Sequence, residues 1–434
     1  MKLVPLIALL VLIVSIVPIW VSFRFQKDAA FEPLKSAVFQ PPISIQSLAS
    51  LPNPSGRCPQ RTFQWDSKQR SDRFPSVDER VCMYMTRWYD PHYRTNQQWN
   101  PQLSHRQVDA LTLEIYWNNK FIFTMRMEEN LLMNDVPFFL FSNNLTMMDN
   151  LSTQKNWLLF LFYAKETTDF CNKFGPNSPI LLDWGDQEMQ IDVHLPIAGK
   201  WRFNDIDRHT RPVPILVPVE GMRHYAPLKK VNESDIPWQD KKNIAIWRGD
   251  MSGIVEGKFH WMHENWETKS LEVCMQFPRC RLVYQNQNAT LADIGFATCK
   301  EPSFQNIDGV NMMRPKLDMK ELLKYKMLVS IEGNDVASGL KWNLLSSSVV
   351  LMPPPEKSIF SMELLLEPWV HYVPLEVDHV DKAIQWVLEH DDEAQRISQR
   401  GTNFMRDLFL HADAERDNAA VLQKIADRIS AFWK

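Results

Sequence analysis

The sequence predicts an α/β protein, on three observations. After about residue 175, short apolar runs of strand length alternate with stretches in which apolar residues recur every three or four positions. The last three stretches, Val380 to Glu389, Glu393 to Leu408 and Ala414 to Phe432, are regular enough to predict helices packed on a sheet. Of the 434 residues, 45% are hydrophobic and 23% are charged, a composition that excludes a disordered chain.

The N-terminus carries a candidate membrane span. From Leu3 to Phe23 the chain has 21 residues without a charge, which as a helix matches the roughly 30 Å hydrocarbon core of a bilayer. A cleaved signal peptide has a shorter apolar region and an A-x-A cleavage pattern, which the sequence lacks. We therefore expect an uncleaved transmembrane signal anchor at residues 1–23 and a proline- and serine-rich stem at 24–60. Charges on both sides of the span leave its orientation open.

Two features favour a lumenal location for the rest of the chain. The six cysteines are even in number and suit disulfides in an oxidising compartment, although buried free thiols would give the same count. Their spacing lacks the CxxC pairs of a structural zinc site. Sequons for N-glycosylation begin at Asn144, Asn150, Asn232 and Asn288.

Charge and glycine content exclude two classes of ligand site. The formal net charge is −4 and no long basic run is present, so we expect no nucleic-acid partner. The chain has 13 glycines and contains neither GxGxxG nor GxxxxGK[ST], which excludes the glycine-cradled phosphate loops.

The segment from Tyr325 to Glu356 is the most informative. It predicts a buried strand, a polar turn at residues 332–335, a short helix and a second strand. In open α/β sheets, ligands bind beyond the carboxyl ends of strands. Ser338 and Gly339 would open the helix with free N–H groups aimed at an anion such as a diphosphate, and Lys341 would add a full positive charge. A capped helix with a surface lysine is the alternative.

A second predicted strand ends in the sequence WRGDMSG, residues 247–253. Arg248 could bind a phosphate or carboxylate in a bidentate way. Gly249 would allow the backbone to approach a ligand closely. The alternative is an ion pair between Arg248 and Asp250 that closes a loop.

A third predicted strand, from Ile180 onward, ends in Asp183-Trp184-Gly185-Asp186. An aromatic ring beside a carboxylate suits a sugar pocket, because the ring packs on the apolar face of a pyranose while the carboxylate binds or deprotonates a hydroxyl. The alternative is that Asp186 caps the following segment.

Two other patterns are weak candidates for metal ligands. Asp205 and Asp207 form a DxD, the sequence by which many metal-dependent sugar transferases hold a nucleotide diphosphate, but it lies in a polar loop. His260 and His263 could share one helical face, but no HExxH is present. We expect no metal site.

Six segments occur in a characteristic order: LLDWGD (181–186), WRGDMSG (247–253), PRCRLV (278–283), SIEGNDVASGLKWNLLSSSVVLMPPP (330–355), EPWVHYVPL (367–375) and HDDEAQRISQRGTNF (390–404). Over roughly residues 175–410 the chain resembles glycosyltransferase family 90, which contains capsule-associated and lipopolysaccharide-modifying transferases and the protein O-glucosyltransferases and O-xylosyltransferases of the secretory pathway.

The resemblance implies a GT-B-like architecture, with two Rossmann-like lobes facing each other across a central cleft. Residues 61–240 would form the N-terminal, acceptor-side lobe. Residues 241–434 would form the lobe that binds the nucleotide sugar, together with the closing helices. No cofactor and no metal would be needed for the diphosphate.

The resemblance also implies roles for individual residues. Asp186 matches the catalytic base of the inverting members, and Trp184 would contact the acceptor. Many members have Ser or Thr where this chain has Asp250, so Ser252 would supply the hydroxyl, and many have an arginine where this chain offers Lys341. The residues expected to bind the donor are Arg248, Gly249, Ser252, Arg279, Asn334, Asp335, Ser338, Gly339 and Lys341.

The leading hypothesis is an inverting glycosyltransferase that moves glucose or xylose from a UDP-sugar to a hydroxyl of a glycan or protein acceptor, anchored in the Golgi or endoplasmic reticulum membrane. The first alternative is a catalytically inactive lumenal carbohydrate-binding protein of the same fold. A weaker alternative is a metal-dependent transferase that uses Asp205 and Asp207.

Overall fold

The parts of the chain that can be described begin at residue 74. The computed structural model describes residues 74–89, 103–109, 112–117, 120–126, 138–141, 170, 173, 180–183, 196–205, 213–218, 221–255, 258 and 262–432. The predicted anchor at 1–23 and the stem at 24–60 therefore lie outside the described residues. Within the described residues, no helix is both long and apolar enough to cross a membrane.

The first described elements are a capped helix and a three-stranded sheet. Helix α1 (Val77–Met85) begins with a capping box in which the Ser76 hydroxyl accepts from the Glu79 N–H and the Glu79 carboxylate accepts from the Ser76 N–H. A 3₁₀ turn (Thr86–Tyr89) follows it. Strands β1 (Leu103–Asp109), β2 (Thr112–Trp117) and β3 (Lys120–Arg126) then form an antiparallel meander.

A four-stranded parallel sheet follows, with the strand order β4-β5-β6-β8. Its members are β4 (Phe138–Phe141), β5 (Ile180–Asp183), β6 (Ile197–Gly199) and β8 (Ile215–Leu216). Strand β7 (Arg202–Phe203) lies outside this sheet. After β8 come α2 (Gly221–His224), a 3₁₀ turn (Ala226–Lys230), α3 (Val231–Ser234) and a 3₁₀ turn (Trp238–Asp240).

A five-stranded parallel sheet forms the second half of the fold. The first part of the segment that carries this sheet has, in chain order, β9 (Lys242–Asp250), α4 (Ser270–Gln276), α5 (Pro278–Gln285), β10 (Ala292–Thr298), α6 (Pro302–Gln305), the separate antiparallel pair β11 (Asn306–Ile307) and β12 (Val310–Asn311), and α7 (Met319–Leu322). The second part of the segment has β13 (Tyr325–Val329), α8 (Leu340–Leu345), β14 (Val349–Met352), β15 (Lys357–Ser358), which lies outside this sheet, a 3₁₀ turn (Glu363–Leu365) and β16 (Val373–Pro374).

The order of strands in this sheet is β10-β9-β13-β14-β16. The chain leaves β9 toward β10 on one side and returns to β13 on the other side. A crevice therefore opens at the carboxyl ends of β9 and β13, which is the topological switch point where open α/β sheets bind ligands. The predicted α/β class is confirmed by the two parallel sheets and their helices.

Three helices close the chain, as the apolar periodicity predicts: α9 (Val380–Glu389), α10 (Asp391–Phe409) and α11 (Ala414–Phe432). The buried residues of α9 include Val380, Ala383, Ile384 and Val387, at the spacing of one helical face. Helix α11 packs against α1, where Lys424 forms an ion pair with Asp78 at 2.7 Å.

The regions that hold the two parallel sheets share one hydrophobic core. Ala198 and Ile215, on β6 and β8, belong to the same buried cluster as Ile246 and Leu328, on β9 and β13. Strand β7 pairs with β15 in antiparallel fashion, which joins the two regions through the backbone. The carboxyl ends of β9 and β13 are therefore held by packing from both halves of the chain.

Candidate functional site

A cavity of about 320 Å³ opens at the switch point between β9 and β13. Its wall comes from the end of β9, the start of α5, the loop 330–339 after β13, and the first turns of α8. We call it the switch-point cavity. Eight of the nine residues that the sequence predicts for donor binding line it: Arg248, Gly249, Ser252, Arg279, Asn334, Asp335, Ser338 and Gly339. Their role in donor binding stays a prediction.

Arg279, the second residue of α5, ties the two strand ends together. Its Nε and Nη2 donate to the Ile331 carbonyl at 3.2 and 2.9 Å, and Nε also donates to the Glu332 carbonyl at 3.1 Å. Its Nη1 donates to the Ser252 hydroxyl at 2.6 Å and to the Asp250 carbonyl at 3.4 Å. The guanidinium thereby fixes the ends of β9 and β13 at the cavity wall.

The charge of Arg279 is not neutralised by a close carboxylate. The hydrogen-bond partners of its guanidinium are carbonyls and a hydroxyl. Among the described residues, no carboxylate lies within 4.0 Å of the guanidinium. Burial lowers the pKa of Arg279 to about 10, and the nearby charge of Arg223 lowers it further while that of Asp335 raises it. At neutral pH Arg279 is therefore a cation on the wall of an open cavity, where an anion would be stabilised.

Two glycines let the backbone approach this arginine and its neighbours. A Cβ on Gly333 would lie 2.8 Å from both Arg279 Nη2 and Ser252 Oγ, so any side chain there would displace the bridge between the strands. A Cβ on Gly249 would lie 2.4 Å from Cζ2 of Trp247. Gly249 thus serves the packing of Trp247, which itself lines the cavity beside the guanidinium of Arg279.

Arg248 lines the cavity, but its guanidinium is held in a structural network. Both carboxylate oxygens of Asp293, on β10, accept from Nη2 of Arg248 at 2.8 Å. Its Nε donates to the Pro315 carbonyl at 3.0 Å, and Nη1 donates to the Asp293 carbonyl at 2.8 Å. Of the two alternatives drawn from the sequence, an ion pair is present, with Asp293 as the partner in place of Asp250.

The loop after β13 is anchored by its polar residues. Asn334 Oδ1 accepts from the Gly253 N–H at 3.0 Å, which adds a second link between the two strand ends. Asp335 is buried and forms an ion pair with Lys200 at 2.9 Å. Gly339 is the N-cap of α8, so the predicted strand, polar turn, short helix and second strand are confirmed.

Lys341 is placed differently from the other predicted donor residues. Its side chain is fully buried and does not line the cavity. Its Nζ donates to the Ala337 carbonyl at 3.1 Å and lies 3.8 Å from Oε1 of Glu363, which is also buried. Full burial excludes the alternative of a surface lysine, while the role of Lys341 in donor binding stays a prediction.

The residues predicted for catalysis and for acceptor binding cannot be placed. Asp186 and Trp184 lie outside the described residues, shortly after β5 ends at Asp183. Of the metal candidates, Asp207 and His260 also lie outside them, while Asp205 is exposed. The described part of the chain contains no group of three or more His, Cys, Asp or Glu side chains that could hold a metal ion.

A disulfide closes the short loop that carries Arg279. Cys274 on α4 and Cys280 on α5 are bonded to each other. Cys82 is also disulfide-bonded, whereas Cys299 is a buried free thiol. Because Cys280 follows Arg279 directly, the disulfide restrains the backbone that positions the guanidinium.

The cavity residues that are absent from the sequence-based prediction include Arg223, Gly333, Trp342 and Asn343. Arg223 is exposed on α2, seven residues after β8 ends, whereas Arg248 was singled out because it follows an apolar run directly. Gly333 lies in the predicted polar turn. That only glycine fits there becomes clear only from the position of the Arg279 side chain. Trp342 and Asn343 lie in the predicted helix, and no pattern marks which face of a six-residue helix meets a ligand.

A parallel sheet with a cationic cavity at its switch point is typical of proteins that bind phosphorylated ligands. Residues 165–426, more than half of the chain, match the model of Glycosyl transferase family 90. The chain therefore belongs to glycosyltransferase family 90.

Curated relatives cover only part of this match. The chain is similar to the O-glucosyltransferase LpsA of Dichelobacter nodosus, with 26% identity over 212 residues, 48% of this chain and 56% of the relative. It is also similar to protein O-glucosyltransferase 3 of Homo sapiens, with 34% identity over 114 residues, 26% of this chain and 22% of the relative. The similarity to protein O-glucosyltransferase 2 of Danio rerio is 36% over 90 residues, 20% of this chain and 17% of the relative. The chain thus spans about half or less of the length of these relatives.

Proposed function

We propose that this protein is an inverting glycosyltransferase that transfers a sugar, glucose or xylose, from a UDP-sugar to a hydroxyl of a glycan or protein acceptor in the secretory pathway. The family and the O-glucosyltransferase relatives support the transferase class. The Cys274–Cys280 disulfide supports an oxidising compartment. Anchoring by residues 3–23 in the Golgi or endoplasmic reticulum membrane is part of the same proposal.

The single observation that carries the proposal is the guanidinium of Arg279 on the wall of the switch-point cavity. A partly buried cation with no carboxylate within 4.0 Å, in the described part of the chain, is the group expected to hold a diphosphate. Arg223, on α2, also lines the cavity and adds a second positive charge near Arg279. Arg248 and Lys341 are engaged with Asp293 and Glu363, so the diphosphate is assigned to Arg279.

In the proposed mechanism, Asp186 removes the proton from the acceptor hydroxyl as its oxygen attacks the anomeric carbon. The bond from that carbon to the diphosphate breaks on the opposite face, and UDP leaves. Negative charge grows on the β-phosphate during this step, and Arg279 would stabilise it electrostatically. The sheet β4-β5-β6-β8 would supply the acceptor-side lobe of a GT-B-like enzyme, because β5 ends three residues before Asp186.

The proposal is tested by UDP release from a panel of UDP-sugars, measured with the purified full-length protein, with and without EDTA. Release from one sugar, unchanged by EDTA, is the expected result and names the donor. Loss of release in EDTA would favour a metal-dependent transferase. Calorimetric binding of UDP without release from any sugar, even with candidate acceptors, would favour the inactive carbohydrate-binding protein.

The role of Asp186 has its own test. Asp186→Asn keeps the size of the side chain and removes the base, so we expect transfer to fall at least about 1,000-fold while the affinity for UDP stays within about threefold. Asp183→Asn is the matched control on the same strand end, and it should retain most of the activity. Near-wild-type turnover of Asp186→Asn would place the base elsewhere.

A further inference from the structure

Asn343 is a buried amide residue on the wall of the switch-point cavity. It lies on α8, is 6% exposed, and lines the cavity next to Trp342. Its backbone is used by the helix, since the Asn343 N–H donates to the Gly339 carbonyl. Its Oδ1 is buried and has no hydrogen-bond partner in the described part of the chain.

An unsatisfied buried carboxamide is costly to a protein. Leaving one such acceptor without a partner destabilises the fold, and most buried polar atoms in native proteins do have partners. A leucine, which has the same branched shape, would avoid that cost at this position. The position of the carboxamide in a cavity points to a partner that enters with a ligand.

The surroundings of Asn343 distinguish this part of the cavity from the part around Arg279. Apolar side chains of β9, α7 and β13 also line the cavity, namely Ile246, Leu322 and Leu328. The formal positive charges on the wall come from Arg223, Arg248 and Arg279. A ligand suited to both parts has an anionic group for the cations and a flat, mostly apolar ring with a few polar edge atoms for the remaining wall.

A carboxamide carries one acceptor and two donor hydrogens side by side. Uracil presents a complementary edge, in which the N3–H donates and the adjacent carbonyl oxygen accepts. We propose that Asn343 binds the uracil ring of the donor nucleotide, with Oδ1 accepting from N3–H and Nδ2 donating to a uracil carbonyl. This inference rests on the proposed function, and it makes Asn343 a specificity-determining residue of the donor site.

The test compares Asn343→Leu with the wild-type full-length protein, using UDP and inorganic pyrophosphate as probes in calorimetry. Loss of two hydrogen bonds is expected to weaken UDP binding about 10- to 100-fold. Pyrophosphate meets only the cationic wall, so its affinity should stay within about twofold. The thermal midpoint of the unliganded variant should stay the same or rise, because the unsatisfied acceptor is gone.

Asn286→Leu is the matched control. Asn286 lies outside the cavity, and its Nδ2 donates to the Leu282 carbonyl at 2.8 Å. This variant should lower the thermal midpoint and leave UDP binding unchanged, which is the opposite signature.

Three outcomes would overturn the inference. Equal UDP affinity in wild type and Asn343→Leu would remove Asn343 from the base site, and weaker binding of a UDP-sugar alone would assign it to the sugar. Parallel loss of UDP and pyrophosphate binding with a lower thermal midpoint would make Asn343 a structural residue. If the wild-type protein binds no UDP at all, the proposed function fails first, and the inference fails with it.

Discussion

The cavity wall around Arg279 and the buried cluster around Lys341 both place a cation against the loop that follows β13. Arg279 donates to the Ile331 and Glu332 carbonyls at the start of this loop, and Lys341 donates to the Ala337 carbonyl near its end. Arg279 is partly exposed to the cavity and has no carboxylate within 4.0 Å in the described part of the chain, whereas Lys341 is fully buried 3.8 Å from Glu363.

The difference between the two clusters is one of charge compensation. A buried lysine needs a counter-ion inside the protein, since leaving the charge uncompensated in the interior is strongly unfavourable. Glu363 provides that charge, and its own carboxylate accepts from the Ile359 N–H at 2.9 Å and from the Ser361 hydroxyl at 2.7 Å. Arg279 instead keeps its positive charge available at a surface that a ligand can reach. We therefore expect the first cluster to serve binding and the second to serve the fold.

The largest expected effect comes from removing Arg279. Arg279→Ala should weaken UDP binding about 100-fold or more, because charge-assisted hydrogen bonds to a phosphate are among the strongest in proteins. Arg279→Lys should recover only a small part of the affinity, since an ammonium group cannot reproduce the planar fork that spans Ile331 and Ser252. Calorimetry with UDP measures both variants.

Arg281→Ala is the control for this prediction. Arg281 lies two residues further along α5, is 29% exposed in its side chain, and pairs with Asp378 at 2.9 Å. Its removal should change UDP affinity less than about twofold. An equal loss of affinity in Arg279→Ala and Arg281→Ala would mean that general destabilisation of α5, and not the guanidinium of Arg279, explains the result.

Lys341→Met should have the opposite effect to Arg279→Ala: it should lower stability and leave UDP binding nearly unchanged. Breaking a buried ion pair from one side costs about 3–5 kcal/mol, so we expect a decrease of the thermal midpoint of about 5 °C or more, with UDP affinity within about threefold of wild type. The double variant Lys341→Met/Glu363→Gln should recover part of the stability, because the remaining buried charge is gone. A loss of UDP binding without a loss of stability would instead make Lys341 a donor ligand.

The local elements of the fold could be predicted because their patterns are strong. Helix α9 spans Val380–Glu389 and β9 spans Lys242–Asp250, as the apolar runs indicate. Strand β10 (Ala292–Thr298) was not predicted, because its sequence ADIGFAT contains a glycine and an aspartate and has no continuous apolar run. The order of strands follows from pairing between distant segments, which local patterns do not contain.

The dependence on distant segments also limits how much of the site could be predicted from the sequence. Residues near the ends of predicted strands could be expected to meet at one edge of the sheet, and eight of nine line one cavity. The direction of each side chain depends on distant partners. Arg248 is held by Asp293, 45 residues further along the chain on the unpredicted strand β10, and Lys341 is held by Glu363 in a 3₁₀ turn.

The disulfide beside Arg279 offers a smaller perturbation of the cavity wall. The double variant Cys274→Ala/Cys280→Ala should lower the free energy of unfolding by about 2 kcal/mol, because the cross-link restricts the unfolded chain. It should also weaken UDP binding several-fold, since the backbone of Arg279 is less restrained. Chemical reduction is a poorer test, because Cys82 is disulfide-bonded too.

Cys299→Ala is the control, since Cys299 is a buried thiol outside any disulfide. This variant should leave UDP affinity unchanged. If the double variant loses stability but binds UDP as tightly as wild type, the disulfide serves the fold alone, and Arg279 is positioned by its hydrogen bonds to the loop and to Ser252.

The smallest expected effect concerns Glu332, which lies in the same loop as the Arg279 contacts. Its Oε1 accepts from the Glu356 and Lys357 N–H groups at 3.0 and 3.1 Å, and burial raises the pKa of its carboxyl to about 7, although nearby Lys357 lowers it. The folded state therefore holds the proton more tightly than the unfolded chain. The contribution of Glu332 to stability is fully present below pH 4.5, where both states are protonated, and is lost as the pH rises through about 7.

Glu332→Gln tests this pH dependence, because the amide oxygen can keep both backbone hydrogen bonds while the titration is removed. The thermal midpoint of the variant should exceed that of wild type by a few degrees at pH 8, and the gap should close as the pH falls toward 4.5. Curves that run parallel from pH 4.5 to pH 8 would contradict the raised pKa. They would mean that Lys357, whose Nζ lies 3.7 Å from Oε2, keeps Glu332 ionised in the folded protein. The loop would then carry a compensated charge pair near its start, like the one that Lys341 and Glu363 form near its end.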